Sequence, residues 1–189
     1  MDVDQDIDNA LKVLKEGGII LYPTDTVWGL GCDATNEEAV KRIFAIKQRS
    51  CAKAMISLVD SLETLKIWLD KIPHLALEEI KNNRSRPLTI IYDTPRGIVS
   101  LLRAEDGSAA FRITGHFFSH KLCAGLGRPL VSTSANISGQ PTPKRFGDID
   151  AEIIDSLDYV CNTGRIPNDG HPSRILKITD KEEITIVRE

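Results

Sequence analysis

Ile7, Ala10, Leu11 and Leu14 recur at the three- and four-residue spacing of one helix face, and Gly17-Gly18 then supplies residues that tolerate the left-handed turn ending a helix. Ile19-Ile20-Leu21-Tyr22 reads as a buried strand. Asn36 stands before Glu37-Glu38 as an N-cap with acidic first-turn residues, and Val40, Ile43 and Phe44 carry that helix on to Lys47. The stretch between them, Pro23 to Thr35, is predicted to be an irregular connection from strand to helix. Met55-Ile56-Ser57-Leu58-Val59 predicts another buried strand, Leu62, Leu65 and Leu69 a helical stripe, and Pro73 to Asn82 a further helix. Thr89-Ile90-Ile91-Tyr92, Ala109-Ala110-Phe111-Arg112-Ile113 and Pro129-Leu130-Val131-Ser132 are short apolar runs bounded by turns, the pattern of strands covered on both faces. Asp158-Tyr159-Val160, Arg174 to Ile178 and Ile184 to Val187 add strands near the C-terminus. Strands and helices alternate irregularly, which predicts an α/β fold: a twisted mixed sheet with packed helices and no strict βαβ repeat.

Composition narrows the function classes. The 189 residues, 41% hydrophobic, suffice for one compact domain spanning 1–189, and no Pro/Gly/Ser linker divides them. A formal charge of −3 argues against a dominant electrostatic grip on nucleic acid, though not against a local basic cleft. The acidic start, Met1-Asp2-Val3-Asp4, lacks the features of a signal peptide, and no apolar run approaches membrane-spanning length, so a cytoplasmic protein without a membrane partner is expected. Cys32, Cys51, Cys123 and Cys161 are too widely separated for a CxxC pair and are expected to be reduced. His116 and His120 could present two imidazoles on one helix face, but without a third ligand such a pair usually marks an ordinary surface helix, and no metal site is expected.

Three polar clusters, each beside a predicted strand, carry the chemistry and suggest a shared cleft. In Pro23-Thr24-Asp25-Thr26-Val27-Trp28-Gly29-Leu30-Gly31 the hydroxyls can bind a small polar ligand while Gly29 and Gly31 permit close backbone approach; the same residues also suit a plain turn with a buried Trp28. Lys47-Gln48-Arg49-Ser50-Cys51-Ala52-Lys53 lies at a helix C-terminus, where cations offset the helix dipole, yet three cations this dense can also clamp phosphate, Arg49 gripping two oxygens at once. Ser132-Thr133-Ser134-Ala135-Asn136-Ile137-Ser138-Gly139-Gln140-Pro141 can donate a fixed array of hydrogen bonds to phosphate oxygens or form a Ser/Thr/Asn turn. There is no GxxxxGK[ST] loop, GxGxxG turn or GxSxG elbow, so any nucleotide must be held by side chains, and a hydrolase triad has little support.

Together with the opening Gly17 to Tyr22, these clusters, in this order and at this spacing, resemble the YrdC/YciO-like family across nearly the whole chain. The characterised enzymes of that family are L-threonylcarbamoyladenylate synthases. The resemblance implies an α/β twist around a concave, positively charged cleft. It implies a reaction joining L-threonine, bicarbonate and ATP into threonylcarbamoyl-AMP and pyrophosphate, a nucleotidyl transfer assisted by Mg²⁺ carried on the nucleotide. The product is the activated donor for t6A modification of tRNA by downstream transferase proteins. By the same resemblance Thr26, Arg112, Ser132 and Ser173 bind threonine. Lys47, Arg49, Lys53, Ser108, Ser134, Asn136, Thr142 and Arg188 bind ATP, with Lys47, Arg49, Ser134 and Asn136 at the centre of catalysis.

The chain departs from the family pattern in places. Leu58 stands where a histidine is expected to assist threonine, and the element after the carboxylate-binding arginine reads Arg112-Ile113-Thr114. The alternative reading is a module that binds double-stranded RNA or tRNA through its concavity without synthase activity. Convergence of Lys47, Arg49, Lys53, Arg84, Arg86 and Arg112 on one cavity would suit both readings, whereas the net acidity and the lack of RNA-binding aromatic signatures favour the enzyme.

Overall fold

The computed structural model describes residues 2–48, 55–83, 86–163 and 172–189. Helix α1 (Val3–Lys15) starts where the Asp2 carboxylate accepts from the Asp4 N–H at 2.9 Å, and it buries Ile7, Ala10 and Leu14. Gly17, at φ +83°, turns the chain into β1 (Ile20–Tyr22). Strand β2 (Gly29–Gly31) follows, and then α2 (Glu37–Ile46), capped by Asn36 Oδ1 on the Ala39 N–H at 3.0 Å. Next come β3 (Ile56–Val59), α3 (Leu62–Ile67) and α4 (His74–Asn82). The chain continues through β4 (Leu88–Tyr92), β5 (Ala109–Ile113), α5 (Phe117–Leu126) and β6 (Leu130–Ser134). It ends with α6 (Ala151–Asp155), β7 (Tyr159–Val160), β8 (Arg174–Ile178) and β9 (Ile184–Arg188).

Among the described residues the strands form one sheet in the order β7-β1-β2-β6-β3-β5-β4-β8-β9. Three neighbouring pairs are parallel, β1 with β7, β3 with β5 and β4 with β8, and the rest are antiparallel. The expected mixed sheet is therefore present. Successive strand residues face opposite sides, and the two sides bury different cores. Val40, Phe44, Leu65, Tyr92 and Phe111 belong to the core that includes α2 and α3, whereas Ile7, Leu14, Leu58, Leu122 and Leu130 belong to a second core with α1 and α5. A third cluster gathers Leu21, Trp28, Leu30 and Ile153.

One expectation needs correction. The segment Pro23 to Thr35 is not irregular throughout, because Gly29-Leu30-Gly31 forms a central strand between β1 and β6. Glycine lowers strand propensity, and the pairing is made by backbone alone. The glycines are needed because Tyr22 lies across them: a Cβ on Gly31 would come within 2.6 Å of Tyr22 Cε1 and 2.9 Å of the Val131 carbonyl. His116 is the N-cap residue of α5 and half-buried, while His120 is on the exposed surface of the helix.

Candidate functional site

The antiparallel turn from β1 to β2 carries Thr24, Asp25 and Thr26 to one end of the sheet. Thr24 organises it: its hydroxyl donates to the Val27 carbonyl at 2.6 Å and accepts from the Thr26 and Val27 N–H groups at 3.1 and 3.2 Å. Local hydroxyl-to-backbone bonds of this kind fix a turn without helix or sheet pairing. Thr26 is thereby held against the cleft described below, its Oγ1 3.1 Å from that of Thr24.

On β5, Ala109 and Phe111 face the core of α2 and α3, so Ala110 and Arg112 face the other way. Arg112 pairs in register with Leu58 and is only 3% exposed. A buried guanidinium needs a counter-charge, and Asp25 supplies it at 3.3 Å. That contact is an ion pair without hydrogen-bond alignment, and the Arg112 Nε–H is buried with no hydrogen-bond partner.

The C-terminal hairpin contributes from the opposite side. Between Ile175 and Leu176 the pairing of β8 with β9 slips by one residue: Leu176 lies opposite Ile186 but Ile175 lies opposite Arg188. This bulge turns Arg188 onto the face of Ile175, which lines the cleft. Arg188 Nε donates to the Ser173 carbonyl at 2.9 Å and its NH2 to Ser173 Oγ at 3.1 Å. Ser173 Oγ also lies 2.9 Å from Thr89 Oγ1, and both residues are buried. Burial, and then the charge of Arg112, lowers the pKa of Arg188, so two guanidiniums press on one space. Such a space favours an anion.

These elements enclose a cleft of about 500 Å³. It brings together all four expected threonine ligands, Thr26, Arg112, Ser132 and Ser173, with three of the expected nucleotide ligands, Ser134, Thr142 and Arg188. Behind it lies Tyr22, whose OH donates to the Val131 carbonyl at 3.3 Å and bonds to Ser132; burial holds its phenol far above the usual range and neutral. Cys32, Cys123 and Cys161 are buried free thiols whose pKa is likewise raised by burial, which makes them inert.

Several expected residues are placed elsewhere. Ser108 does not line the cleft; its Oγ donates to Asp106 Oδ1 at 2.6 Å. Asn136 uses Nδ2 on the Ile137 and Gln140 carbonyls, which leaves its buried Oδ1 without a hydrogen-bond partner. The Lys47 side chain is 1% exposed and bonds to the Ser134 and Asn136 carbonyls. Arg49, Lys53 and Arg84 lie outside the described residues. Arg86 borders a different cavity of about 460 Å³, with apolar walls from Leu88, Ile90, Tyr92, Phe111 and Ile113. The expected convergence of cations is therefore not met by Lys47 and Arg86, and of that set Arg112 is the described cation on the cleft. Sequence reasoning missed Asp25 as the partner of Arg112 and Thr89 as the partner of Ser173, since both pairings join distant segments.

The family model for Sua5, YciO and YrdC, described as telomere recombination, matches residues 12–189. The chain belongs to the Sua5/YciO/YrdC family. Its relatives include a threonylcarbamoyl-AMP synthase of Xanthomonas euvesicatoria, 35% identical over 83% of this chain and 85% of that one. Another threonylcarbamoyl-AMP synthase, from Stutzerimonas stutzeri, is 33% identical over 96% of this chain and 97% of its own. Among solved structures, P. abyssi Sua5 complexed with L-threonine superposes with a TM-score of 0.86 at 28% identity, covering 94% of this chain and 52% of that longer one. Within the Sua5/YciO/YrdC fold the cleft lies where β2, β3, β5, β6 and β8 contribute neighbouring residues. No helix among the described residues is long and apolar enough to cross a membrane.

Proposed function

We propose that this chain is a threonylcarbamoyl-AMP synthase, a single YrdC-like domain spanning 1–189 that works in the cytoplasm and supplies the activated donor for t6A modification of tRNA. The observation that carries this reading is the convergence of Thr26, Arg112, Ser132 and Ser173 on one cleft, in a chain whose relatives bear that name at 33–35% identity. The Arg112 fork suits the two oxygens of the threonine carboxylate, and the three hydroxyls suit its remaining polar groups. Ser134, Thr142 and Arg188 flank the adenylate side, and Asn136 is assigned to the nucleotide from the sequence resemblance. Arg49 and Lys53 are assigned to the phosphates from the sequence resemblance, and Ser108 to the nucleotide only if the Asp106 contact opens.

The threonine amine adds to bicarbonate with loss of water, giving a carbamate. A carbamate oxygen then attacks the α-phosphorus of ATP, the bond to the β-phosphate bridging oxygen breaks, and pyrophosphate leaves. This is a nucleotidyl transfer, in which positioning and charge neutralisation do most of the work and no protein nucleophile is needed. None of the described residues lining the cleft carries a carboxylate, which fits Mg²⁺ entering as the counter-ion of the nucleotide and not on a protein site. The product passes to transferase proteins that act on tRNA.

The test supplies ATP, Mg²⁺ and bicarbonate with and without L-threonine and measures pyrophosphate. Threonine-dependent release supports the reading. ATP binding with no release across a panel of amino acids would overturn it and favour a binding module.

A further inference from the structure

Lys47 follows the last turn of α2, with its backbone N–H bonded to the Ile43 carbonyl at 3.0 Å. The next residue, Gln48, has φ +48°, a left-handed conformation that breaks off the helical turn. The Lys47 side chain runs inward, is 1% exposed, and donates from Nζ to the Ser134 carbonyl and, at 2.7 Å, to the Asn136 carbonyl. Its own carbonyl accepts from the Ser138 N–H at 2.8 Å. Three hydrogen bonds thus tie the end of α2 to the loop that leaves β6. A buried ammonium is costly unless its donors are taken up, so these contacts hold one another in place.

The loop held in this way carries the nucleotide side of the cleft. Ser134 at its start and Thr142 beyond its end both line the cavity, and Lys47 does not. The Ala135 N–H reaches back to the Trp28 carbonyl at 3.1 Å, so the same loop is also tied to the hairpin that carries Thr26. Lys47 therefore meets the Ser132 to Pro141 cluster through backbone carbonyls.

We propose that Lys47 is a positioning residue: it braces the backbone of residues 134–138 so that Ser134 and Thr142 face the nucleotide, and it makes no contact with phosphate. This rests on reading the cleft as the ATP and threonine site.

Two measurements on the intact protein test it, neither of which requires turnover. In the first, lysines are acylated with a small amine reagent and followed by mass spectrometry, with and without inorganic pyrophosphate. Lys47 is expected to react at least tenfold more slowly than the exposed Lys12 and Lys121, with no further protection by pyrophosphate. Reaction at the rate of the exposed lysines, or slowing by pyrophosphate, would overturn the proposal. In the second, Lys47→Met is expected to raise amide hydrogen exchange across residues 134–140 more than tenfold while pyrophosphate affinity stays within about twofold. Unchanged exchange in that segment, or a tenfold loss of pyrophosphate affinity, would overturn it. A general loss of structure would move exchange everywhere, and if Lys47→Met does not fold the acylation result decides alone. Where the wild type is a working synthase, the variant is also expected to lose turnover about tenfold or more. Failure of the synthase reading shows as absent pyrophosphate release in the wild type, which is distinct from either outcome at Lys47.

Discussion

Arg112 and Asp25 form a buried ion pair at 3.3 Å in which the guanidinium is 3% exposed and the carboxylate 15%. The pair joins a central strand to the β1–β2 turn and leaves the Arg112 Nε–H without a hydrogen-bond partner. The counter-charge makes burial of the arginine tolerable while its planar fork stays available to a second carboxylate.

Arg112→Lys keeps the charge and removes the fork. Threonine half-saturation is expected to rise about tenfold or more, from the loss of one charge-assisted hydrogen bond of about 1.5–3 kcal/mol, with ATP affinity unchanged. Titrating threonine at saturating ATP checks this. Equal half-saturation in the two proteins would remove Arg112 from the threonine site.

Arg188 and Ser173 act as a unit if the bulge in β9 has a functional purpose. Arg188→Ala and Ser173→Ala are each expected to weaken threonine use, and the double variant to lose clearly less than the two effects combined. The coupling expected for residues in direct contact is about 0.5–3 kcal/mol. A double-mutant cycle on threonine half-saturation measures it, and strict additivity would mean that their hydrogen bonds do not shape the site.

Gly31→Ala places a Cβ 2.6 Å from the Tyr22 ring and 2.9 Å from the Val131 carbonyl. The ring cannot yield without moving its OH from Val131, and the carbonyl belongs to a central strand. A destabilisation of about 1–3 kcal/mol is expected, the range typical of overpacking. The midpoint of urea unfolding reads it.

Asp6 is fully buried in α1 and accepts from Tyr159 OH at 2.6 Å, the Asn162 N–H at 2.9 Å and the Thr163 N–H at 2.7 Å. Burial alone raises its pKa, but the bonds from Tyr159, Thr163 and Asn162 outweigh it and leave the carboxyl below its ordinary value of 3.8. A group depressed in the folded state stabilises the protein above its unfolded pKa, and that contribution fades as pH falls through the folded value. Unfolding midpoints are therefore expected to drop below about pH 4, and less steeply in Asp6→Asn. Asp6→Ala removes the acceptor from two backbone N–H groups and is expected to cost about 2–3 kcal/mol near neutral pH. Burial of Tyr159 itself, and then its hydrogen bond to the Asp6 carboxylate, raises the phenol to about 12, so Tyr159 remains a donor throughout this range.

What the sequence by itself determined is what neighbouring residues decide among themselves. Asp2 and Asn36 cap their helices because the side chain and the N–H it satisfies lie within three residues of each other. The strand at Ala109 to Ile113 was legible from its unbroken apolar run, and its alternation set Arg112 on the face opposite Phe111. The three polar clusters beside strands suggested a shared cleft, and Thr26, Ser132 and Ser134 do line one, although the same small hydroxyls also suited plain turns, as Thr24 shows. Only the tertiary structure decided that Gly29-Leu30-Gly31 is a strand, since its pairing is backbone alone and the partners that shape it, Tyr22 and Val131, come from two other strands. It likewise decided that Arg112 faces Asp25, that a one-residue bulge aims Arg188, and that Lys47 turns inward to carbonyls 87 and 89 residues away. A buried charge takes whichever partner the fold delivers, and that choice depends on strand order and register, which no local spacing encodes.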